Sequence, residues 1–220
     1  MSHPTERLRD QADRLIAYCA AYPSNELVFK ASDMIVTIES DASYLSRSKA
    51  RSVVGGIHYM GNLDDSTFIN GGVAVESSIL DCVAASVAEA EYGAAFKNAQ
   101  KGVWTRTIAE ALGHQQPPTP IYVDNKCAEG LANDTVKIKR AKSLDMRFHW
   151  LRDRVRQGQF IVKWRQGSIN LADFFTKAQP VHVHQNFMKR LIRVPITGKS
   201  HFISSRGRRG NAWKARARTA

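Results

Sequence analysis

Two aspartates in this 220-residue chain stand directly behind short apolar runs. Asp41 follows Met34-Ile35-Val36-Thr37-Ile38-Glu39-Ser40, and Asp124 follows Ile121-Tyr122-Val123. Strand ends are where a sheet offers side chains to a ligand crevice. Carboxylates brought together there are hard oxygen ligands suited to Mg²⁺. Taken singly, each acid reads more readily as the residue that ends a strand and starts a turn.

Other reactive residue types offer less. Cys19, Cys82 and Cys127 are odd in number and have no metal-binding spacing, which reads as packed thiols in a reducing compartment. His182 and His184 form a pair with no third ligand near them in sequence, which argues against zinc. Lys+Arg 32 against Asp+Glu 20 gives +12, a surplus that favours a polyanionic partner. Half of it sits in the final segment, on Arg206, Arg208, Arg209, Lys214, Arg216 and Arg218. Within the remainder, Lys137, Lys139, Arg140, Lys142 and Arg147 form the densest basic stretch. It reads equally as a phosphate-tracking ridge and as a solvated surface. No apolar run approaches the roughly 20 residues that span a bilayer. The charged N-terminus lacks a signal-peptide centre. The expectation is an intracellular protein that is neither secreted nor membrane-bound.

The elements that must position the acids can be read in outline. Residues 5–20 place Leu8, Ala12, Leu15, Ile16 and Cys19 on one helical face. A strand runs from Met34 with Asp41 at or just past its end. Two more are expected at 52–60 and 67–75, giving an antiparallel meander. Ala-rich sequence from Val83 to Leu112 has helical spacing, with Phe96, Ala99, Val103, Ile108 and Leu112 as its apolar face. Gly113 then stops it. A short strand at 121–123, a short helix at 125–133, a helix over 142–157 and a strand over 160–165 follow. Trp104, Trp150 and Trp164 occupy positions compatible with a core. Asn170 has the chemistry of an N-cap for a helix carrying Asp173, and a short amphipathic piece spans 187–192. Strands alternating with helices in this order make a layered α/β fold.

The words around the acids are more specific than the acids themselves. Ser40-Asp41-Ala42-Ser43-Tyr44, Ala88-Glu89-Ala90-Glu91-Tyr92, Tyr122-Val123-Asp124-Asn125 and Leu171-Ala172-Asp173-Phe174-Phe175-Thr176-Lys177 occur in that order. Arg51 with Gly55 and Gly56, and the run from Lys142 to Trp150, accompany them. Together they resemble the ribonuclease H region of copia-type retrotransposon polyproteins, over residues 10 to 192. The resemblance implies a ribonuclease H-like α/β fold. Its mixed five-stranded sheet would have three antiparallel strands, then parallel ones, with helices on both faces. It implies four metal-binding, catalytic carboxylates: Asp41, Glu91, Asp124 and Asp173. Glu91 takes the second place because the family's acid directly precedes the Tyr-x-Ala of that helix, here Tyr92 and Ala94. Glu89 lies about 200° round the helix from it and reads as a solvated surface acid.

By the same resemblance the cofactor is two Mg²⁺ (or Mn²⁺) ions, with no small-molecule cofactor. Asp41 would bridge both ions, Glu91 and Asp124 would hold the leaving-group ion, and Asp173 the water-activating one. The implied substrate is the RNA strand of an RNA–DNA hybrid. A reverse transcriptase polymerase domain is an implied partner, and the setting is a cytoplasmic virus-like particle or the nucleus. Asn125 is a candidate for a 2′-hydroxyl contact and equally for the cap of the helix that follows. Lys139, Arg140, Lys142 and Arg147 are the other nucleic-acid-binding candidates. Ser143 stands where many family members have His, which bears on turnover and not on the metals; His149 reads as a helix-face residue.

The chain is read as an N-terminal helix (1–30) resembling the end of a polymerase connection region, a ribonuclease H-like domain (31–180), an amphipathic extension (181–199) and a basic, disordered tail (200–220). No polymerase, integrase or protease word is present, so a fragment, a processed product and a remnant all remain open. A non-enzymatic nucleic-acid-binding remnant is the alternative function. An integrase-type strand transferase fits least, because that family has three acids at a different spacing.

Overall fold

Every second side chain of a strand faces the same way, and here that alternation sorts the central strand into two working faces. In the computed structural model, residues 5–135 and 145–193 are described, with side chains at 145–148 left aside. The helices are α1 (Glu6–Ala21), α2 (Val87–Ala111), α3 (Lys126–Ala132), α4 (Asp145–Arg156), α5 (Asp173–Thr176) and α6 (Val181–Leu191). The strands are β1 (Glu26–Leu27), β2 (Ile35–Arg47), β3 (Arg51–Gly61), β4 (Gly72–Ile79), β5 (Thr119–Val123), β6 (Phe160–Trp164) and β7 (Ile192–Arg193).

Residues 26–193 form one compact unit, and the described residues 5–25 belong to another. In the N-terminal segment, α1 is capped by the Thr5 hydroxyl, which accepts from the Leu8 N–H (3.2 Å). Its apolar residues Leu8, Leu15 and Ile16 are exposed. In the main unit five strands pair in the order β4-β3-β2-β5-β6. The first three are antiparallel, whereas β5 and β6 join in parallel. This is the mixed five-stranded sheet of the ribonuclease H-like fold expected above. β1 and β7 form a separate two-residue antiparallel pair.

One sheet face packs on α2 through Val36, Ile38, Ala95, Ala99, Val123, Leu151 and Phe160. The other packs on α5 and α6 through Ile57, Tyr59, Leu171 and Phe187. The stripe that α2 buries consists largely of small residues, including Ala90, Ala94, Ala95, Ala99 and Gly102. A Cβ on Gly102 would meet Ile38 Cδ1 at 2.6 Å, so the helix lies close on the sheet only because that side chain is absent. Asn98 pins the same face. Its Nδ2 donates to Ser40 Oγ and the Gly55 carbonyl (3.0 Å each), and its Oδ1 faces His58 Nε2 at 3.2 Å.

Several expectations change. The larger apolar residues assigned to the buried face of α2 do not all reach it, since Ile108 and Leu112 are exposed. Trp104 is 73% exposed and Trp164 43%, while Trp150 packs against the core. The third strand begins at Gly72, not 67, because the Asp65 carboxylate accepts from the Thr67 and Phe68 N–H groups and folds that stretch into a turn. Asn170 does not cap α5; Ala172 precedes that helix without a side-chain cap. All three cysteines are free, but Cys19 and Cys127 are exposed and not packed. No helix among the described residues is long and apolar enough to cross a membrane.

Candidate active site

β2 runs on to Arg47, so Asp41 lies within a strand and not at its end. The reason is asymmetric pairing. β3 stays paired with β2 past this point, with Asp41 opposite Gly55 and Ser43 opposite Val53. On the other side β5 pairs only as far as Glu39 opposite Tyr122. Two residues further along both chains lie Asp41 and Asp124, where the sheet opens. The Trp164 indole donates to the Asp124 carbonyl (2.9 Å), and Asn125 caps α3 with Oδ1 accepting from Cys127 N (2.9 Å) and Ala128 N (3.2 Å). These contacts fix the turn that carries Asp124. Gly167 leaves room for its carboxylate, since a Cβ there would come within 2.9 Å of Asp124 Oδ2.

Glu91 enters from the first turns of α2, which Ser86 caps by accepting from Glu89 N (3.2 Å). Glu89 is not simply solvated; its carboxylate accepts from Ala85 N (2.8 Å) and completes the helix start. Glu91 faces inward and accepts from the Ala42 N–H (3.2 Å). Its second oxygen is buried with no hydrogen-bond partner.

One oxygen from each of Asp41, Glu91 and Asp124 lies within 4.8 Å of the others. Asp41 and Glu91 are buried and Asp124 is partly exposed. The electrostatics follow from that crowding. Burial first, and then the charges of Asp41 and Asp124, push the Glu91 carboxyl up to about 9. Burial and the Asp124 charge push Asp41 to about 6, against the pull of a Thr176 hydrogen bond. Asp124 is also raised, by burial and by Asp173. The donor set is all carboxyl oxygen and under-partnered, which fits a hard divalent cation.

Asp173 lies beside this group but outside it. Lys177 Nζ donates to its Oδ1 (2.5 Å) and Gln179 Nε2 to its Oδ2 (3.0 Å). The Lys177 ammonium is raised by that hydrogen bond and by the Asp173, Asp41 and Asp124 charges. Of the basic candidates, Lys139, Arg140 and Lys142 lie outside the described residues, as does Ser143. Arg147 is described only as a backbone position of α4. The ring of His184 stacks on Phe174 at 5.5 Å.

Sequence reasoning missed the residues beneath the site. Glu39 is fully buried on the same face of β2 as Asp41. Its Oε1 accepts from Tyr59 Oη (3.1 Å) and from the Arg165 guanidinium, and its Oε2 accepts from Leu171 N. Burial still pushes its carboxyl above the usual range, against the pull of Arg165. The only signal available was an acid placed two residues before Asp41 in an otherwise apolar strand.

This geometry can be set beside known proteins. The chain is 28% identical over 166 residues to the retrovirus-related Pol polyprotein from transposon TNT 1-94 of Nicotiana tabacum, covering 76% of this chain and 12% of that protein. It is 27% identical over 201 residues to the Pol polyprotein from transposon RE1 of Arabidopsis thaliana, covering 89% and 13%. Its sequence relatives are retrotransposon Pol polyproteins. The resemblance read from the acidic words therefore holds. The chain spans about an eighth of the length of these relatives. No protein-family model matches it. Similar solved structures include the N-terminal RNase H domain of Rv2228c from Mycobacterium tuberculosis, with TM-score 0.47 and 18% identity over 70% of this chain and 98% of that one. Another is LC11-RNase H1, isolated from compost, with TM-score 0.48 and 13% identity over 64% and 92%.

Proposed function

We propose that the chain supplies the ribonuclease H activity of a retrotransposon polyprotein, hydrolysing the RNA strand of RNA–DNA hybrids. One observation carries this reading. Asp41, Glu91 and Asp124 converge from a strand, a helix and a second strand, with a Glu91 oxygen buried and unpartnered. Two Mg²⁺ (or Mn²⁺) ions held there would activate a water and neutralise the charge that develops on the phosphate. Asp41 would be the central residue holding them. Glu91 and Asp124 would hold the metal on the leaving-group side, and Asp173 would hold it on the attacking-water side.

The chain's own groups would complete the reaction. Lys177 keeps positive charge at the lip of the acidic group, where a phosphodiester oxygen would arrive, and its bond to Asp173 holds that carboxylate until a cation competes for it. Thr176 steadies Asp41. Asn125, Lys139, Arg140, Lys142 and Arg147 are assigned to binding the hybrid, through its backbone and 2′-hydroxyls, with little sequence preference and strong salt dependence. We assign this activity to residues 31–180 and take a reverse transcriptase polymerase domain as its partner.

The test is cleavage of an end-labelled hybrid with Mg²⁺. The expected result is metal-dependent hydrolysis that Asp41→Asn lowers by at least about 100-fold, the order seen when charge stabilisation at a transition state is removed. Salt-dependent binding without cleavage, indifferent to metal and to Asp41→Asn, would overturn the enzyme reading in favour of a nucleic-acid-binding remnant.

A further inference from the structure

The fourth acid reaches the site on an irregular stretch of chain. β6 ends at Trp164, and from Arg165 to Ala172 the chain crosses the open end of the sheet with only one 3-10 turn, Gly167–Ile169. α5 itself has four residues and no side-chain cap. A segment of this kind has few backbone partners of its own, so side chains must supply them. Three such contacts come from β2 directly below the site, two through the Glu39 carboxylate and one through the Ser40 carbonyl.

The contacts fall in sequence along the crossing. Arg165 N donates to the Val123 carbonyl (2.7 Å), which ties the start of the segment to the end of β5. The Arg165 guanidinium pairs with buried Glu39, lies over the Tyr122 ring at 3.5 Å, and donates to the Ser66 carbonyl at 2.6 Å. Gly167 then passes the Asp124 carboxylate. Asn170 Nδ2 donates to the Ser40 carbonyl, and Asn170 Oδ1 accepts from Ala172 N (3.0 Å each). Leu171 N donates to the second Glu39 oxygen. Ala172 comes so close to Gly55 that a Cβ there would meet the Ala172 carbonyl oxygen at 2.4 Å. Asp173 is the next residue.

Glu39 thus touches the crossing at both ends, through Arg165 and through Leu171 two residues before Asp173. It shares a strand and a face with Asp41. One rigid side chain therefore fixes the separation between the acid embedded in the sheet and the acid carried by the irregular segment. A metal site needs this separation held to a fraction of an ångström.

We propose that Glu39 is a positioning residue for the metal centre, holding the Arg165–Ala172 crossing so that Asp173 is set against Asp41 and Asp124. It touches neither metal nor substrate and acts through Asp173. The inference rests on the metal-site reading above.

The test is a calorimetric titration of the full chain with Mn²⁺, alongside thermal melting and steady-state cleavage of the hybrid. Glu39→Gln keeps the side-chain size but turns an amide N–H₂ toward a donor, so the clamp is broken on one side. The expected result is Mn²⁺ affinity lowered about tenfold and a reduced kcat with the hybrid KM unchanged. Asp173→Asn should give a similar loss, and the double variant should bind Mn²⁺ no more weakly than Asp173→Asn alone, because the two changes act through one carboxylate.

A Glu39→Gln protein that melts earlier but keeps wild-type Mn²⁺ affinity overturns the inference. So does a loss in the double variant equal to the product of the two single losses. Should Glu39→Gln give no cooperative melt, Tyr59→Phe replaces it. That change removes one donor from the same carboxylate and leaves the Arg165 pair. A two- to threefold loss of Mn²⁺ affinity, absent in the Asp173→Asn background, supports the inference, and unchanged affinity overturns it. Wild-type chain that binds no Mn²⁺ sinks the metal-site reading and this inference with it. Normal wild-type binding with an indifferent Glu39 sinks only this inference.

Discussion

Two buried acidic regions meet on β2, only two residues apart, and the protein treats them in opposite ways. Around Glu39 every oxygen has donors: a guanidinium, a phenol and a backbone N–H. Around Asp41, carboxylates crowd a buried carboxylate that has a hydrogen bond from Thr176, and one oxygen of Glu91 has no partner at all. Burying a charge is tolerable when it is paired and hydrogen-bonded, and costly when it is not. The first region is completed by the chain itself. The second is left under-partnered, and in the function proposed above a cation would complete it. The two regions differ in their partners and not in burial, which is nearly the same for Glu39, Asp41 and Glu91.

The contrast can be broken most forcefully through pH. Asp41 and Glu91 have folded-state values raised to about 6 and about 9. Groups raised in this way favour the folded state in their protonated form. Their contribution is fully present below the ordinary carboxyl range and is lost as pH climbs through those values. The metal-free protein should therefore lose stability on the order of 5 kcal/mol between pH 5 and pH 9. Saturating Mg²⁺ should remove most of that slope, and so should Glu91→Gln without metal. Melting curves in EDTA and in Mg²⁺ across this range check it, and a flat EDTA profile would contradict the account of an unfinished site.

Next in size is the opposite operation on the finished region. Glu39→Ala leaves the Arg165 guanidinium buried without its carboxylate and should cost about 3–5 kcal/mol. Urea unfolding at pH 7 measures it. Unlike the first effect, this loss should persist in Mg²⁺. If Mg²⁺ restored Glu39→Ala to wild-type stability, the distinction between the two regions would collapse.

The smallest effect sharpens the boundary between them. Asn125 directly follows Asp124, and its Oδ1 is committed to capping α3. Asn125→Ala should cost about 1 kcal/mol in stability. Because that cap holds the turn carrying Asp124, Mg²⁺ binding should weaken about twofold. A stability loss of the same size with unchanged Mg²⁺ affinity would place Asn125 on the structural side alone.

Much of this was legible beforehand. The apolar runs at 34–38 and 121–123 announced strands, and the helices α1, α2 and α4 followed from apolar spacing and from glycine stops. Ordered words around Asp41, Glu91, Asp124 and Asp173 point to the same relatives as the whole-chain similarity. Glu91 and not Glu89 is brought together with Asp41 and Asp124, because positions two apart on a helix cannot face one point. Faces were harder to read. Trp104, Ile108 and Leu112 look like core residues by type, yet the sheet accepts only the small-residue stripe of α2. Large side chains would hold the helix too far away, as the contact between Gly102 and Ile38 illustrates.

The sequence by itself determined the order of elements, the acids and their kind, and the resemblance to a polyprotein segment, because local periodicity and short words are properties of neighbours in the chain. Only the tertiary structure decided that Asp41 lies inside its strand. That depends on where β5 stops pairing, which no local pattern encodes. It also decided that three of the four acids share one point while Asp173 is held by Lys177 and Gln179. Finally, it separated Glu39 from Asp41. Two carboxylates on one strand look alike in sequence and become different once the donors from β3, Arg165 and Leu171, 20 to 132 residues away, are brought to only one of them.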